Sequence, residues 1–275
     1  MRPDRRQGAA SPRRSEELGG EQVEGLQAVR LLLSAGKRPV RRIWLSEARA
    51  RAPQGPLADV IALARDRGVR IELRTNENIA EMSATGAAQG AIAWAEPVVA
   101  VDLDDVLRRA VPTGEPAFLV VLDGVTDPGN FGAVLRTAAC AGAHGVVVSR
   151  HRSAALTPAA VKAAAGAVEL VPIAQVAGAP AALSELSRAG VWVAGMEPGA
   201  GGDLWSSSIL DGPVAIVLGS EGAGISRLAR KRCDVLLQIP QALALGSLNI
   251  AAAAAVACFE VARRRSGASG SRKAL

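Results

Sequence analysis

The stretch LDGVTDPGNFG, residues 122–132, is the first of three glycine-rich segments that each follow a short apolar run. The second is LGSEGAG at residues 218–224, and the third runs from Ile239-Pro240 to Gly246-Ser247-Leu248-Asn249. Each pattern predicts a strand that leads through a loop into a helix. In open α/β sheets, ligands bind beyond the carboxyl ends of such strands. Three such loops within one domain length predict a single composite ligand site.

The carboxyl-terminal half of the chain has the pattern of a buried parallel sheet. Its apolar runs are rich in β-branched residues and do not alternate with polar ones, which is typical of strands buried on both faces. Between them, Thr157-Pro158 and Gly166 mark the start and stop of a helix, and Asn130 is expected to cap the helix after the first loop. The predicted strands are Phe118–Leu122, Gly145–Ser149, Val168–Ile173, Val191–Gly195, Val214–Leu218 and Val235–Ile239, and further helices are predicted at 180–188, 226–232 and 249–264.

The amino-terminal part predicts a separate, smaller α/β unit. Apolar spacing from Glu21 indicates a helix that ends near Gly36, and two further helices and three strands follow. Composition then divides the chain into a disordered basic arm at 1–20, a smaller α/β domain at 21–97, a linker with one helical turn at 98–115, the larger domain at 116–265 and a tail at 266–275. The predicted elements of the smaller unit are strands at 41–45, 69–73 and 90–94 and helices at 57–67 and 78–82.

Bulk composition narrows the class of protein. The formal net charge is +6, with 32 Lys and Arg against 26 Asp and Glu, and most of the cations are arginines, which suit phosphates and base edges. Three cysteines without CxxC spacing argue against a disulfide framework or a zinc motif, and two histidines exclude a three-histidine metal site. No apolar run approaches the ~18–20 residues that span a bilayer. A cytoplasmic protein with no metal and no membrane partner is expected.

The loops offer backbone amides, small polar side chains, one glutamate and one arginine, but no ordinary general base. Arg136 stands on a stripe of small residues, Gly132, Ala133, Ala139 and Cys140, where another element can approach closely. No P-loop and no serine–histidine–acid arrangement is present. Group transfer from an activated cofactor suits such a site, because positioning can supply most of the acceleration.

The three segments together resemble the motifs of the SpoU/TrmH family of RNA ribose 2′-O-methyltransferases, in order and in spacing. The matching residues are Asn130-x-Gly132-x-x-x-Arg136, then residues 218–222, then Ile239-Pro240 with Ser247-Leu248-Asn249. Val23-Glu24-Gly25 and residues 89–93 are similar to marks of the family's ribosomal-protein-like substrate-binding domain. The combination is similar to the branch that methylates a guanosine of 23S rRNA.

The resemblance implies a SPOUT fold, an α/β class in which the carboxyl-terminal segment of a parallel sheet forms a trefoil knot. It implies S-adenosylmethionine as cofactor, RNA as partner and a homodimer with its active site near the subunit interface. The residues that match catalytic or substrate-side positions are Arg136, Asn130, Glu221 and Asn249. Those that match cofactor-binding positions are Gly195, Leu218, Gly219, Ile239, Ser247 and Leu248. A guanidinium is a donor and not a base, so we expect Arg136 to orient the ribose or phosphate and to stabilise developing charge.

The sequence also departs from the family pattern in its third motif. Gln241-Ala242-Leu243 follows Ile239-Pro240 where many relatives have a methionine and, two residues later, a glycine. A catalytically inert RNA-binding protein on the same scaffold therefore stays open as an alternative. Within the methyltransferase class, a tRNA 2′-O-methyltransferase is the second alternative, and the amino-terminal domain favours rRNA over it. A dinucleotide-dependent oxidoreductase is disfavoured, because the spacing GxxGxG is not the GxGxxG of the dinucleotide fingerprint.

Overall fold

The computed structural model describes residues 16–151, 153–242 and 248–268. They form two sheets, one of four strands and one of seven. The chain passes through the smaller sheet first. The predicted basic arm lies outside the described residues at 1–15, as does most of the predicted tail.

The amino-terminal unit is a four-stranded sheet in the order β1-β4-β2-β3, in which β2 and β3 are parallel and the other pairs antiparallel. Helix α1 packs one face with Val29, Leu32 and Leu33, all fully buried. The elements are β1 (Gln22–Glu24), α1 (Leu26–Ala35), β2 (Val40–Ser46), α2 (Glu47–Ala50), α3 (Pro56–Asp66), β3 (Ile71–Arg74), α4 (Asn76–Met82) and β4 (Ala91–Ala95).

One element of this unit differs from expectation. The helix predicted from Glu21 is preceded by strand β1, in which Val23 and Glu24 pair with Ala93 and Ile92. Gly25, with φ of 97°, then turns the chain into α1. The apolar spacing of the segment fits a helix, but pairing with β4 decides the conformation of its first residues.

The carboxyl-terminal unit is a seven-stranded sheet in the order β7-β6-β5-β10-β8-β11-β9, and every neighbouring pair is parallel. The predicted parallel sheet is therefore confirmed. Its elements are α5 (Leu103–Arg108), β5 (Phe118–Asp123), α6 (Pro128–Cys140), β6 (Gly145–Ser149), α7 (Pro158–Ala164), β7 (Ile173–Val176), α8 (Ala179–Arg188), β8 (Trp192–Met196), β9 (Gly202–Asp203), β10 (Val214–Gly219), α9 (Arg227–Arg230), β11 (Val235–Gln238) and α10 (Ile250–Ala268).

Helices cover both faces of the seven-stranded sheet, as its apolar strands require. Helices α6, α7 and α10 contribute to the core on one face, and α5, α8 and α9 to the core on the other. Strand β5 lies beside β10 with Asp123 opposite Gly219, so the first two glycine-rich loops leave the sheet at the same edge.

Two local predictions in this unit are wrong. Residues 168–173 are not a strand: Ala167–Glu169 form a 3-10 helix and β7 begins only after Pro172. A short buried apolar run does not distinguish the two structures, and Val168 is buried in either. The cap of α6 is Asp127 and not Asn130, because the Asp127 carboxylate accepts from the backbone N–H of Asn130 at 2.7 Å.

Residues 16–20, which composition assigns to the arm, are held by backbone hydrogen bonds. Leu18 N–H donates to Val98 at 2.8 Å, and Leu18 accepts from Leu156 N–H at 3.1 Å. The predicted linker carries the expected helical turn as α5, and its Val106 is fully buried against the larger sheet. Both segments thus join the two units.

A buried ion pair also connects the units. Arg38, just before β2, lies 2.6 Å from Glu169, and their side chains are 7% and 2% exposed. The Arg38 guanidinium donates further to the carbonyls of Gly20 and Glu96. The buried guanidinium is thus compensated by one carboxylate and two carbonyls, and the Glu169 carboxylate accepts from Arg38 through both of its oxygens.

Candidate functional site

The first glycine-rich loop carries Asn130 to the carboxyl edge of the larger sheet. After Asp123, Gly124 with φ of 79° turns the chain, and α6 begins at Pro128 under the Asp127 cap. Asn130 lies in the first turn of that helix, half-buried. Its position is set by a proline and a capping carboxylate, both favoured at a helix start.

The second loop is closed on itself. Ser220 and Gly224 exchange two backbone hydrogen bonds of 3.0 and 2.9 Å, with Gly222 and Gly224 at positive φ. A Cβ on Gly219 would lie 2.0–2.2 Å from the backbone of Gly224 and Ile225, so this position accepts only glycine. The loop therefore presents Glu221 at its exposed tip.

The third loop ends at Asn249, whose side-chain oxygen accepts from Ala252 N–H at 2.8 Å. Asn249 is therefore the cap of α10. Its amide N–H groups make no hydrogen bond within the described residues. Ser247, predicted to bind cofactor, lies outside the described part of the chain.

A cavity of about 900 Å³ lies between the second loop, the end of β11 and the start of α10. Ligand pockets typically occupy ~300–1,000 Å³. Four of the six predicted cofactor residues and two of the four predicted catalytic ones lie in its wall. Those that line it are Leu218, Gly219, Ile239, Leu248, Glu221 and Asn249.

Gly195, the other predicted cofactor residue that the structure describes, is buried and does not line the cavity. A Cβ there would lie 2.8–2.9 Å from the side chains of Cys233, Leu236 and Ile225. Its neighbour Met196 lines the cavity instead. Gly195 thus allows close packing directly beneath the site.

Asn130 is joined to the cavity through Glu221. Its Nδ2 donates to Glu221 Oε1 at 2.8 Å, which links the first loop to the second. Arg136 lies later on α6, is exposed, and makes no hydrogen bond or ion pair with any residue that the structure describes. The structure therefore brings Asn130, Glu221 and Asn249 to one edge, while Arg136 is outside the cavity wall.

At one position, Gly132, the stripe of small residues beside Arg136 is in contact with another helix of the same chain, α7. A Cβ on Gly132 would lie 2.2 Å from the Ala160 carbonyl oxygen and 2.7 Å from Ala163 Cβ, so α7 crosses α6 there. Ala133 and Ala139 are half-buried and Cys140 is exposed. The close partner at Gly132 is therefore α7.

Sequence reasoning missed two arginines and one glutamate of the cavity wall. Arg227 and Arg230 come from α9, and Glu197 follows the end of β8. Arg230 donates to Glu197 at 2.8 Å, whereas Arg227 makes no ion pair with a described residue. The sequence signal that could have identified Glu197 as a site residue is its position at the carboxyl end of β8, the edge where ligands bind.

Cys233 lies beneath the site, in surroundings that disfavour its thiolate form. Burial, and then the carboxylates of Asp234, Asp123 and Glu197, raise the pKa of its thiol to about 11. The reactive form of cysteine is the thiolate. Among the described residues, no three His, Cys, Asp or Glu side chains are grouped to hold a metal ion, and no helix is long and apolar enough to cross a membrane.

Family models match both units of the chain. The SpoU rRNA Methylase family matches residues 117–259, and the family described as RNA 2′-O ribose methyltransferase substrate binding matches residues 22–98. The two matches account for both sheets and for all three glycine-rich loops.

Curated relatives are similar over nearly their whole length. The 23S rRNA (guanosine-2′-O-)-methyltransferase RlmB of Pseudomonas putida is 38% identical over 89% of this chain and 97% of its own. RlmB of Escherichia coli is 35% identical over 90% and 99%. A TrmH family tRNA/rRNA methyltransferase, YacO of Bacillus subtilis, is 35% identical over 83% and 90%.

Solved structures have the same fold. The SpoU methyltransferase AviRb from Streptomyces viridochromogenes, in complex with AdoMet, superposes with a TM-score of 0.71 at 27% identity, over 89% of each chain. An AdoMet-bound rRNA methyltransferase from Sinorhizobium meliloti gives 0.69 at 25% identity, over 88% of this chain and 86% of that one. The predicted α/β SPOUT fold class is confirmed.

Proposed function

Because the chain belongs to the SpoU rRNA methylase family, we propose that it transfers a methyl group from S-adenosylmethionine to the ribose 2′-hydroxyl of a guanosine in 23S rRNA. The observation that carries this proposal is the Asn130–Glu221 hydrogen bond at the rim of the cavity. It brings two motif residues from separate loops to the place where an acceptor would meet a bound cofactor. The RlmB relatives supply the expected substrate.

The cavity fits S-adenosylmethionine in size and chemistry. Leu218, Ile239 and Leu248 give it apolar walls, and the closed loop 220–224 supplies backbone polar groups. A purine packs against such apolar side chains, while backbone groups fix its orientation. When bound, S-adenosylmethionine supplies a methyl carbon activated by its positive sulfur.

The residues of the chain orient the acceptor. Glu221 holds the Asn130 amide through Nδ2, which leaves Asn130 Oδ1 to accept a hydrogen bond from the ribose. Arg136, whose guanidinium makes no hydrogen bond or ion pair with a described residue, stabilises the negative charge that develops on the 2′-oxygen or holds the adjacent phosphate. Asn249 caps α10 and offers its amide N–H groups to the cavity.

The working enzyme is a homodimer in this proposal, and it acts in the cytoplasm on ribosomal RNA. Arg136 is outside the cavity wall, so a second subunit that brings its own Arg136 to the site would complete it. Helix α10 carries an apolar outer face, with Phe259 50% exposed beside the half-exposed Ala255 and Val256. An exposed face of this kind marks an interaction surface.

Methyl transfer from radiolabelled S-adenosylmethionine tests the function. The full chain is incubated with 23S rRNA and with tRNA from a strain that lacks it, and the labelled nucleotide is mapped. We expect label on a 23S guanosine ribose. Label on tRNA would favour the tRNA-modifying alternative, and cofactor binding without transfer to either RNA would favour the inert RNA-binding protein.

Arg136→Ala separates chemistry from cofactor binding. We expect the variant to lose methyl transfer while calorimetric titration with S-adenosylmethionine is unchanged, because Arg136 does not line the cavity. Arg188→Ala, an exposed arginine at the end of α8, is the matched control. Full turnover by Arg136→Ala would overturn the assigned role.

A further inference from the structure

Two tryptophans lie side by side on the face of the smaller sheet opposite α1. Trp44 on β2 and Trp94 on β4 have ring centroids 5.1 Å apart at an interplanar angle of 69°. They are the only Phe, Tyr or Trp residues in the sequence between positions 16 and 98. A domain with so few aromatic residues normally uses them in its core, but both rings lie outside the main core cluster and are half-exposed.

Arginines stack on these rings. The Arg42 guanidinium carbon lies 4.5 Å from the Trp94 centroid and 5.5 Å from that of Trp44, and Arg74 lies 4.8 Å from Trp44. The register explains the arrangement, since Arg42 is directly opposite Trp94. Arg42 is exposed, and its guanidinium makes no hydrogen bond or ion pair with any residue in the described ranges. Its donors therefore remain available to a ligand.

One carboxylate fixes the position of this group. Glu72, opposite Trp44 on β3, accepts from the Trp44 indole N–H at 3.1 Å and pairs with Arg70 at 3.2 Å and with Arg74. A single partly buried glutamate thus pairs with two arginines, Arg70 and Arg74, and a third, Arg42, lies over the same two rings. The face carries net positive charge around two flat apolar rings.

We propose that Trp44, Trp94, Arg42 and Arg74 form a stacking platform for unpaired bases of the RNA substrate, with Arg42 and Arg70 on the adjacent phosphates. The inference rests on the proposed RNA substrate and specifies how the smaller domain holds it. Aromatic rings and guanidinium planes bind splayed bases, which a duplex does not offer. A second copy of the chain is disfavoured as occupant, because two positive faces repel.

Direct binding of RNA to the full chain, without S-adenosylmethionine, tests the platform. The probe is a fluorescein-labelled unstructured RNA of about 12 nucleotides, read by anisotropy. Trp44→Leu and Trp94→Leu are each expected to weaken binding at least about fivefold, with an unchanged salt dependence. Trp44→Phe keeps a stacking ring and is expected to retain most of the affinity. Trp205→Leu removes a tryptophan that is 44% exposed in the other unit and is the matched control.

Arginine variants test the electrostatic part. Arg42→Gln is expected to reduce the slope of log K against log salt by about 0.7, the value for one lost phosphate contact on a single strand. Arg41→Gln is the control of equal charge, because Arg41 is paired with Glu96 at 2.8 Å. Melting curves and calorimetric binding of S-adenosylmethionine show that each variant is folded.

Three results would overturn the platform. They are wild-type affinity in folded Trp44→Leu and Trp94→Leu, equally tight binding of a duplex of the same length, and a change of oligomeric state in these variants, which would indicate an interface between copies.

The failure of the platform and the failure of the proposed function give different results. Platform-dependent RNA binding by a chain that transfers no methyl group refutes the function alone. Methyl transfer with binding that is insensitive to Trp44 and Trp94 refutes the platform alone.

Discussion

Asn130 donates a hydrogen bond of 2.8 Å to Glu221, although the two residues are 91 positions apart in the sequence. The contact exists because β5 and β10 are parallel neighbours with Asp123 opposite Gly219, so the loops that follow them leave the sheet together. A second bond, from Ser226 N–H to Asp123 at 2.7 Å, ties the same loops at their base. The geometry of the site is therefore a property of the sheet.

Asn130→Ala removes the group that Glu221 orients. We expect kcat for methyl transfer to fall by about a hundredfold, the cost of losing one preorganised polar contact to a transition state. Affinity for S-adenosylmethionine should be unchanged, because Asn130 does not line the cavity. Glu221→Gln keeps an acceptor for Asn130 and should retain more activity than Glu221→Ala. Equal kcat in Asn130→Ala and the wild type would contradict the role.

Gly219→Ala tests the closed loop. The added methyl group would lie about 2 Å from the Gly224 and Ile225 backbone, so loop 220–224 must move. Overpacking of this kind costs about 1–3 kcal/mol of stability, and calorimetry should show weaker binding of S-adenosylmethionine. Gly201→Ala meets nothing within 4 Å and is the control. Unchanged cofactor affinity in Gly219→Ala would show that the loop does not shape the cavity.

Strand ends followed by glycine turns predicted a single composite site, but the residues expected in it came from the resemblance to the SpoU/TrmH motifs. Of those residues, Leu218, Gly219, Ile239, Leu248 and Glu221 line the cavity. In a parallel sheet, the loops that follow the strands share one edge by geometry. Glycine at position 219 also has a local cause, because a Cβ there would lie 2.0–2.2 Å from the backbone of Gly224 and Ile225.

What the sequence did not reveal depends on distant pairing. Nothing in the spacing of residues 22–24 separates a strand from a helix start, and β4 decides it from about 70 positions away. The same holds for Glu169, which lies in a segment interpreted as a strand and serves as the buried partner of Arg38.

Breaking the Arg38–Glu169 pair should destabilise both units together. Glu169→Ala leaves a charged guanidinium buried without its carboxylate, and we expect the free energy of unfolding to fall by about 3–5 kcal/mol in urea titrations. Arg41→Ala removes an exposed arginine from the pair with Glu96 and should leave the urea midpoint unchanged. Two separate transitions in Glu169→Ala, with the smaller unit unaffected, would show that the pair does not couple the units.

The stability of the smaller unit should depend on pH through Glu24. Burial raises the pKa of its carboxyl, but the hydrogen bonds from Thr85, Ser83, Ala84 N–H and Gln22 together lower this pKa by more. The pKa in the folded state is therefore below the ordinary value of 4.5. A depressed pKa in the folded state contributes stability above pH 4.5, and this contribution is lost as pH falls through the folded-state pKa.

Glu24→Gln removes that contribution. We expect the difference in unfolding free energy between wild type and variant to be constant from about pH 7 to 6 and to shrink below about pH 4.5. Urea titrations across this range measure it. Glu47→Gln changes an exposed glutamate in α2 and is the control. A difference that grows on acidification would contradict the assigned direction.

Phe259 tests the proposed homodimer. An aspartate at this position would place a charge on the outer face of α10, where the ring is 50% exposed. Its neighbours one turn away are Ala255, Val256, Ala262 and Arg263, and the Arg263 guanidinium is held by Glu260. Burying an unpaired charge in an interface is costly. Light scattering should therefore show that Phe259→Asp is a monomer. If Arg136 acts across the interface, this variant should also lose methyl transfer. Trp192→Asp, at a tryptophan that is also 50% exposed but lies at the amino end of β8, should stay dimeric. A dimeric Phe259→Asp would place the interface on another surface.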